Sequence, residues 1–226
     1  MTRSEINQLI REALLFFEEM QFKLPPWSEW SPPRWKKHME SCREIFENQL
    51  GWDLTDFGSG NFHHTGLLLF TLRNGNPERD GKPYAEKIMI VEENQVTPMH
   101  FHWSKTEDII NRGGGRLMIQ LYPSDRKGEF AEHPFQVSID GMERTLEPGD
   151  WVRLRPGESI TLTPGLYHQF HGEPECGKVL VGEVSAVNDD HTDNRFYSRV
   201  GRFPDIEEDE QPLHLLVGDY AEFINE

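Results

Sequence analysis

Beyond about residue 55 the chain is written in short apolar runs, each closed by residues that turn a backbone. Leu67–Leu72, Lys87–Val91, Leu117–Leu121, Phe135–Ile139 and Val179–Val187 are such runs, and Gly, Pro, Asn and Asp separate them. The connectors include Arg73-Asn74-Gly75-Asn76-Pro77, Asp140-Gly141, Glu147-Pro148-Gly149-Asp150 and Arg155-Pro156-Gly157-Glu158. They supply positive-φ residues and the preset φ of proline, as antiparallel turns require. An all-β chain follows, and an antiparallel barrel or jelly roll closes such strands with the fewest open edges.

The N-terminal stretch has a different period. Ile6, Leu9, Ile10, Ala13, Leu14 and Phe17 fall on one helical stripe, and Thr2 with Glu5 has the spacing of a capping box just before it. Pro25-Pro26 and Pro32-Pro33 then break the chain. After them Trp35, Met39, Cys42, Ile45, Phe46 and Leu50 recur at helical spacing and predict a second helix ending at Gly51. Trp27, Trp30 and Trp35 in this crossing are expected to cover the barrel wall or a partner subunit. With 226 residues the expectation is one domain, 1–226. It comprises a helical extension over 1–52, a β-barrel over about 55–200 and an acidic segment over 201–226. In that last segment Glu207-Glu208-Asp209-Glu210 predicts a solvated turn, followed by a packing segment at Leu213, Leu216 and Val217.

Charge narrows the partners. Lys and Arg total 23 against 39 Asp and Glu, a formal charge of −16, which repels phosphate backbones and anionic membranes. The expectation is no nucleic acid and no membrane. The N-terminus enters its amphipathic pattern without an apolar leader, and nowhere do about 18 apolar residues run in succession. Cys42 and Cys176 are far apart and outside any CxxC, so neither a disulfide framework nor a zinc cluster is indicated. A cytoplasmic protein fits these features.

The chemistry concentrates in Thr97-Pro98-Met99-His100-Phe101-His102-Trp103-Ser104-Lys105-Thr106-Glu107. In a strand His100 and His102 project from one face while Phe101 and Trp103 take the other. Two imidazoles and a carboxylate returning at Glu107 can supply three ligands to one divalent ion. A fourth is offered by His168, which follows the turn Pro164-Gly165 in Thr163-Pro164-Gly165-Leu166-Tyr167-His168. An HxH pair alone is often two exposed strand histidines. Its agreement with Glu107, with the Gly113-Gly114-Gly115 turn and with the later Pro-Gly-x-x-His favours a metal site.

These motifs carry a resemblance. His100-x-His102 with Glu107 and Gly113 resembles the first cupin motif, and Pro164-Gly165-x-x-His168 resembles the second, with Pro and Gly adjacent here. Pro83 to Tyr122, above all Thr97-Pro98-Met99-His100-Phe101-His102-Trp103 and Ile109-Ile110-Asn111-Arg112-Gly113-Gly114-Gly115, is similar to the bacterial D-lyxose isomerase family. The likeness extends over the N-terminal helices and over Glu183-Val184-Ser185 to Asn194-Arg195-Phe196. The resemblance implies a homodimeric cupin holding Mn²⁺ through His100, His102, Glu107 and His168 and acting on D-lyxose and D-mannose. Spacing alone does not choose Mn²⁺ over Fe²⁺, Co²⁺ or Ni²⁺.

Aldose–ketose exchange needs a Lewis acid on two sugar oxygens and a group that shuttles the carbon proton. Glu183 lies in an otherwise apolar strand, where a carboxylate is expensive to bury unless paired. It is the candidate for the carbon proton, and Lys105, between two ligands, is the candidate for the oxygens. Lys87, Asp190 and Arg195 are candidates for holding sugar hydroxyls, Asp190 through the family likeness. The parity of Lys87 with Ala85 and Met89 leaves its face undecided. A solvated acidic loop is the plain alternative for Asp189. His63, His64, His133, His171, His191 and His214 have no ligand-spaced carboxylate; of these His171 is expected nearest the site. Three imidazoles and a carboxylate serve a cupin dioxygenase or decarboxylase equally well, and a non-catalytic sugar-binding cupin is the reading from another class.

Overall fold

The computed structural model of the protein describes residues 1–226 except 77, 78, 80, 188–192, 202–204 and 226. Its strands form two antiparallel sheets. The larger runs in the order β1 (Gly51–Thr55), β2 (Leu67–Arg73), β3 (Tyr84–Val91), β12 (Val179–Ala186), β5 (Glu107–Gly114), β10 (Ser159–Leu162), β7 (Phe135–Ile139) and β8 (Met142–Leu146). The smaller runs β13 (Asn194–Phe196), β4 (Thr97–His102), β11 (Leu166–Gly172), β6 (Leu117–Pro123) and β9 (Trp151–Leu154). Among the described residues no ladder joins the two, so the barrel expected from sequence takes the form of a jelly-roll sandwich rather than one hydrogen-bonded ring.

Period-two alternation decides which side chains meet. Leu67, Met89, Ile109, Val179 and Val181 of the larger sheet pack against Leu117, Ile119, Leu121, Leu166 and Phe170 of the smaller one. The intervening Leu68, Phe70, Ile88, Ile90 and Leu180 point outward. There they are covered by Ile6, Leu9, Ile10, Ala13 and Phe17 of helix α1 (Arg3–Glu19). Burial on both faces is why β2, β3 and β12 read as continuous apolar runs instead of alternating ones. Each fully buried Leu, Ile, Val, Phe or Met side chain contributes about 1.5–3 kcal/mol through burial.

Helix α1 carries the capping box that Thr2 and Glu5 predict, with the Glu5 amide donating to Thr2 Oγ1 and the Thr2 amide to the Glu5 carboxylate. The acidic tail is exposed as expected, yet it also docks: Arg3, only 2% exposed, donates to Glu208 and Asp219, and Ser4 donates to Asp209. Carboxylates gathered at a helix N-terminus also meet the positive end of its dipole.

The single second helix is not formed. Two short helices, α2 (Pro32–Lys36) and α3 (Arg43–Glu47), are separated by a 3-10 turn at Met39–Ser41, and Gly51 begins β1 with φ +124°. Trp35 and Cys42 are nevertheless buried, against Leu215, Tyr220 and Phe223, with Ile45 and Phe46 alongside. The apolar spacing recorded which residues are covered and not whether the backbone is continuous. A Cβ at Gly51 would collide with the Tyr220 hydroxyl, so the glycine serves a close approach. No helix among the described residues is long and apolar enough to cross a membrane.

Candidate metal centre

Strand parity puts His100 and His102 of β4 on the inner face, while Phe101 packs on the outer face against Trp103 and Tyr167. The turn before β11 brings the third imidazole. Leu166 N–H donates to Thr163 C=O at 3.1 Å, with Gly165 at φ +77° in the position that a turn of this kind reserves for glycine. His168 then lies directly opposite His100 in the β4–β11 ladder. The ligating atoms of the three histidines lie within 4.8 Å of one another, and all three residues are buried. Glu107, the first residue of β5, closes the group from the larger sheet: its Oε1 is 3.3 Å from His102 Nε2 and 3.2 Å from His168 Nε2.

Tautomers follow from the backbone. His100 Nδ1 is 2.7 Å from Pro98 C=O and His168 Nδ1 is 3.0 Å from Leu166 C=O. A carbonyl only accepts, so each Nδ1 carries the hydrogen and each Nε2 presents its lone pair to the centre, as ligating histidines do. Burial, with His168 and His102 alongside, holds the His100 imidazole well below its ordinary range and therefore neutral. Burial pushes the Glu107 carboxyl up, but Lys105 and the imidazoles of His102 and His168 outweigh it and hold the group well below the usual carboxylate range.

This donor set fits a divalent cation. Glu107 Oε1 is buried without a hydrogen-bond partner among the described residues, an arrangement that is costly unless a cation meets it. Adjacent ligands of a small divalent ion stand roughly 3 Å apart, as this oxygen and its two nitrogens do. Three imidazoles and a carboxylate suit a first-row ion.

The four residues line a cavity of about 330 Å³ whose polar wall continues through Lys105, Glu183, Lys87, Asp53, Thr55 and Asn194, with Leu67, Met89, Ile109 and Phe170 as its apolar part. The volume lies at the low end of the range for small-molecule sites, about 300–1,000 Å³. Lys105, 3% exposed, bridges two carboxylates, 2.7 Å from Glu107 Oε2 and 3.1 Å from Glu183 Oε1. Glu183 Oε1 also accepts from Ser185 Oγ at 3.0 Å and lies 3.4 Å from Lys87 Nζ. Lys87 and Glu183 face each other in the β3–β12 ladder, on the inner parity set by Met89 and Val181. That settles the face the sequence left open.

Of the residues singled out in the sequence, the fold gathers His100, His102, Glu107, His168, Lys105, Glu183 and Lys87 in one cavity. Arg195 does not join them. It pairs with Phe101 in the β13–β4 ladder and so points outward, 3.5 Å from Glu129, while its neighbours Asn194 and Phe196 face in. Asp189 and Asp190 lie outside the described residues, as does His191. His171 also fails to approach. One residue off the parity of His168 and Phe170, it packs on Trp151 at 5.2 Å between ring centroids. His63 pairs with Glu92, and His214 is buried with Nδ1 3.2 Å from Trp30 C=O. Asp53, Thr55 and Asn194 were missed. Strict alternation in Trp52-Asp53-Leu54-Thr55 was the signal for the first two, passed over because the barrel was expected to begin only at about residue 55.

The chain is 50% identical to a D-lyxose/D-mannose isomerase of Serratia proteamaculans over 229 residues, covering 99% of this chain and 100% of that protein. It is 47% identical to a protein of the same description from Escherichia coli O157:H7, over 99% of this chain and 100% of the relative. Among solved structures an L-ribose isomerase of Cellulomonas parahominis superposes with a TM-score of 0.62 at 18% identity, covering 92% of this chain and 98% of that one, a likeness of fold. The family model described as D-lyxose isomerase matches residues 1–220, and the chain belongs to that family.

Proposed function

We propose that this chain is a metal-dependent aldose–ketose isomerase that converts D-lyxose to D-xylulose and D-mannose to D-fructose. The observation that carries this reading is the cluster His100, His102, Glu107 and His168 in the same small cavity as the Lys105–Glu183 pair. Relatives described as D-lyxose/D-mannose isomerases support the choice of sugars. Mn²⁺ is the proposed ion, with Co²⁺, Fe²⁺ or Ni²⁺ able to occupy the same donors.

His100, His102, Glu107 and His168 would hold the ion, which would supply Lewis acidity to the reacting oxygens of the open-chain sugar. Glu183 takes the proton from C2 of the aldose and returns it to C1, so that the electron pair passes through an enediol and the carbonyl moves from C1 to C2. Lys105, hydrogen-bonded to Glu183, moves the proton between the two oxygens. Lys87, 3.4 Å from the same Glu183 oxygen, lines the cavity where it would hold a sugar hydroxyl.

We further infer that residues 1–226 act as one domain within a cytoplasmic homodimer. The exposed Trp103, Tyr197, Tyr84 and Val184 give a second copy apolar surface to cover, and Cys42 and Cys176 are both unpaired thiols. The charge of −16 weighs against nucleic acid and anionic membranes as partners.

The test is an anaerobic incubation of metal-stripped protein with a panel of aldoses, with and without Mn²⁺, following ketose formation. Ketose from D-lyxose and D-mannose only in the metal-supplied samples is the expected result. A product that needs oxygen, or no ketose from any aldose, refutes the assignment.

A further inference from the structure

Between the ligands His102 and Glu107 the chain makes a turn, and that turn carries Lys105. Its backbone is held by a side chain some ninety residues away. The Asp193 carboxylate, 7% exposed, accepts from Ser104 N–H at 2.8 Å, from Ser104 Oγ at 2.6 Å and from Lys105 N–H at 3.2 Å. The Asp193 carbonyl accepts from Trp103 N–H at 3.0 Å. Three consecutive amides of the turn therefore rest on one residue. Asp193 Oδ2 also lies 3.8 Å from His102 Nδ1, a buried nitrogen without a hydrogen-bond partner among the described residues.

We propose that Asp193 is a positioning residue for the reaction, fixing the turn so that the Lys105 ammonium is held between Glu107 and Glu183. This rests on the reading of Lys105 as the oxygen-proton carrier. A lysine has four rotatable side-chain bonds and wanders unless its backbone is fixed. Here Nζ must meet two carboxylates at 2.7 and 3.1 Å, so a shift of the turn by an ångström forfeits one of them. Asp193 also leads directly into β13, whose Asn194 and Phe196 line the cavity, and this ties the placement of Lys105 to the wall that encloses the sugar.

The experiment compares wild type, Asp193→Ala, Asp193→Asn and Lys105→Gln, each with kcat, KM, bound Mn²⁺ per chain and Tm. Displacing a reacting group by about 1 Å costs up to roughly 100-fold, so Asp193→Ala should lower kcat about 10- to 100-fold while KM stays within about threefold and metal content is unchanged. Asparagine keeps an acceptor for Ser104 but loses the one for Lys105 N–H, and should recover part of that loss. Should the alanine variant fail to fold, the asparagine variant decides, with a kcat drop of roughly three- to tenfold at full metal content expected. Wild-type kcat in both Asp193 variants, or a loss that only follows lost metal, overturns the proposal. Wild-type turnover in Lys105→Gln overturns instead the reading of Lys105 on which it depends.

Discussion

Replacing Lys105 by methionine isolates the charge balance of the cavity. Methionine has nearly the length and volume of lysine, so the packing is kept and the ammonium is lost. Lys105 meets Glu107 and Glu183 at 2.7 and 3.1 Å; after the change both carboxylates, each less than one-tenth exposed, lose that ammonium. Removing one partner of a buried ion pair costs about 3–5 kcal/mol. Glu183 keeps Ser185 and Lys87, so the burden falls on Glu107 and the lower end, about 3 kcal/mol, applies to the metal-free protein. At about 2–4 °C per kcal/mol for a chain of this size, Tm in chelator should fall by roughly 6–12 °C. An ion held by Glu107 replaces the missing positive charge, so saturating Mn²⁺ should more than halve the deficit. Thermal unfolding followed by circular dichroism, with and without Mn²⁺, measures both quantities. A metal-free Tm within about 2 °C of wild type, or the same deficit in both conditions, refutes the reasoning.

Three other outcomes follow from the same geometry. Glu183→Gln removes the proposed carbon-proton carrier but none of the proposed ligands, so turnover should fall at least about 1,000-fold with Mn²⁺ content unchanged, read by ketose assay and elemental analysis; retained turnover removes Glu183 from its role. Burial lowers both His100 and His214 below the ordinary imidazole value of 6.5, so below that pH the unfolded chain binds protons the folded one does not. Metal-free Tm should therefore fall as pH drops from about 7 to about 5, and a flat profile contradicts the neutral buried imidazoles. Because Arg195 points outward, Arg195→Ala should leave KM for D-lyxose within about twofold, whereas Lys87→Met should change kcat or KM by at least about tenfold; the reverse ranking would show that the wrong face has been assigned.

Much of this molecule was legible from residues alone, and the exceptions share a cause. β2, β6, β7 and β12 stand where the apolar runs do, because burial on one or both faces leaves its mark on every residue of a strand. His100 and His102 share a face because alternation is local. Such reasoning fails where a single residue of parity decides. Arg195 lies between Asn194 and Phe196, and the inner face of that short strand is fixed by pairing with β4, about which the segment carries no information; His171 differs, because alternation from the inward His168 already places it on the other face. Asp193 was invisible for the same reason as Arg195, since its partners Ser104 and Lys105 are 89 and 88 positions away. The broken second helix is a separate case. Met39–Ser41 keeps near-helical spacing of apolar residues through a 3-10 turn, so periodicity reported cover by Leu215, Tyr220 and Phe223 and not an unbroken α-helix.

The central proposal is one ion held by His100, His102, Glu107 and His168 and needed for isomerisation. Titrating metal-stripped protein with Mn²⁺ while recording D-xylulose formation from D-lyxose measures this directly. Activity should rise in proportion to bound ion and level off at one per chain, and His168→Ala should neither retain the ion nor turn over. Full activity in the stripped protein, or an ion bound as tightly by the His168→Ala variant, would contradict it.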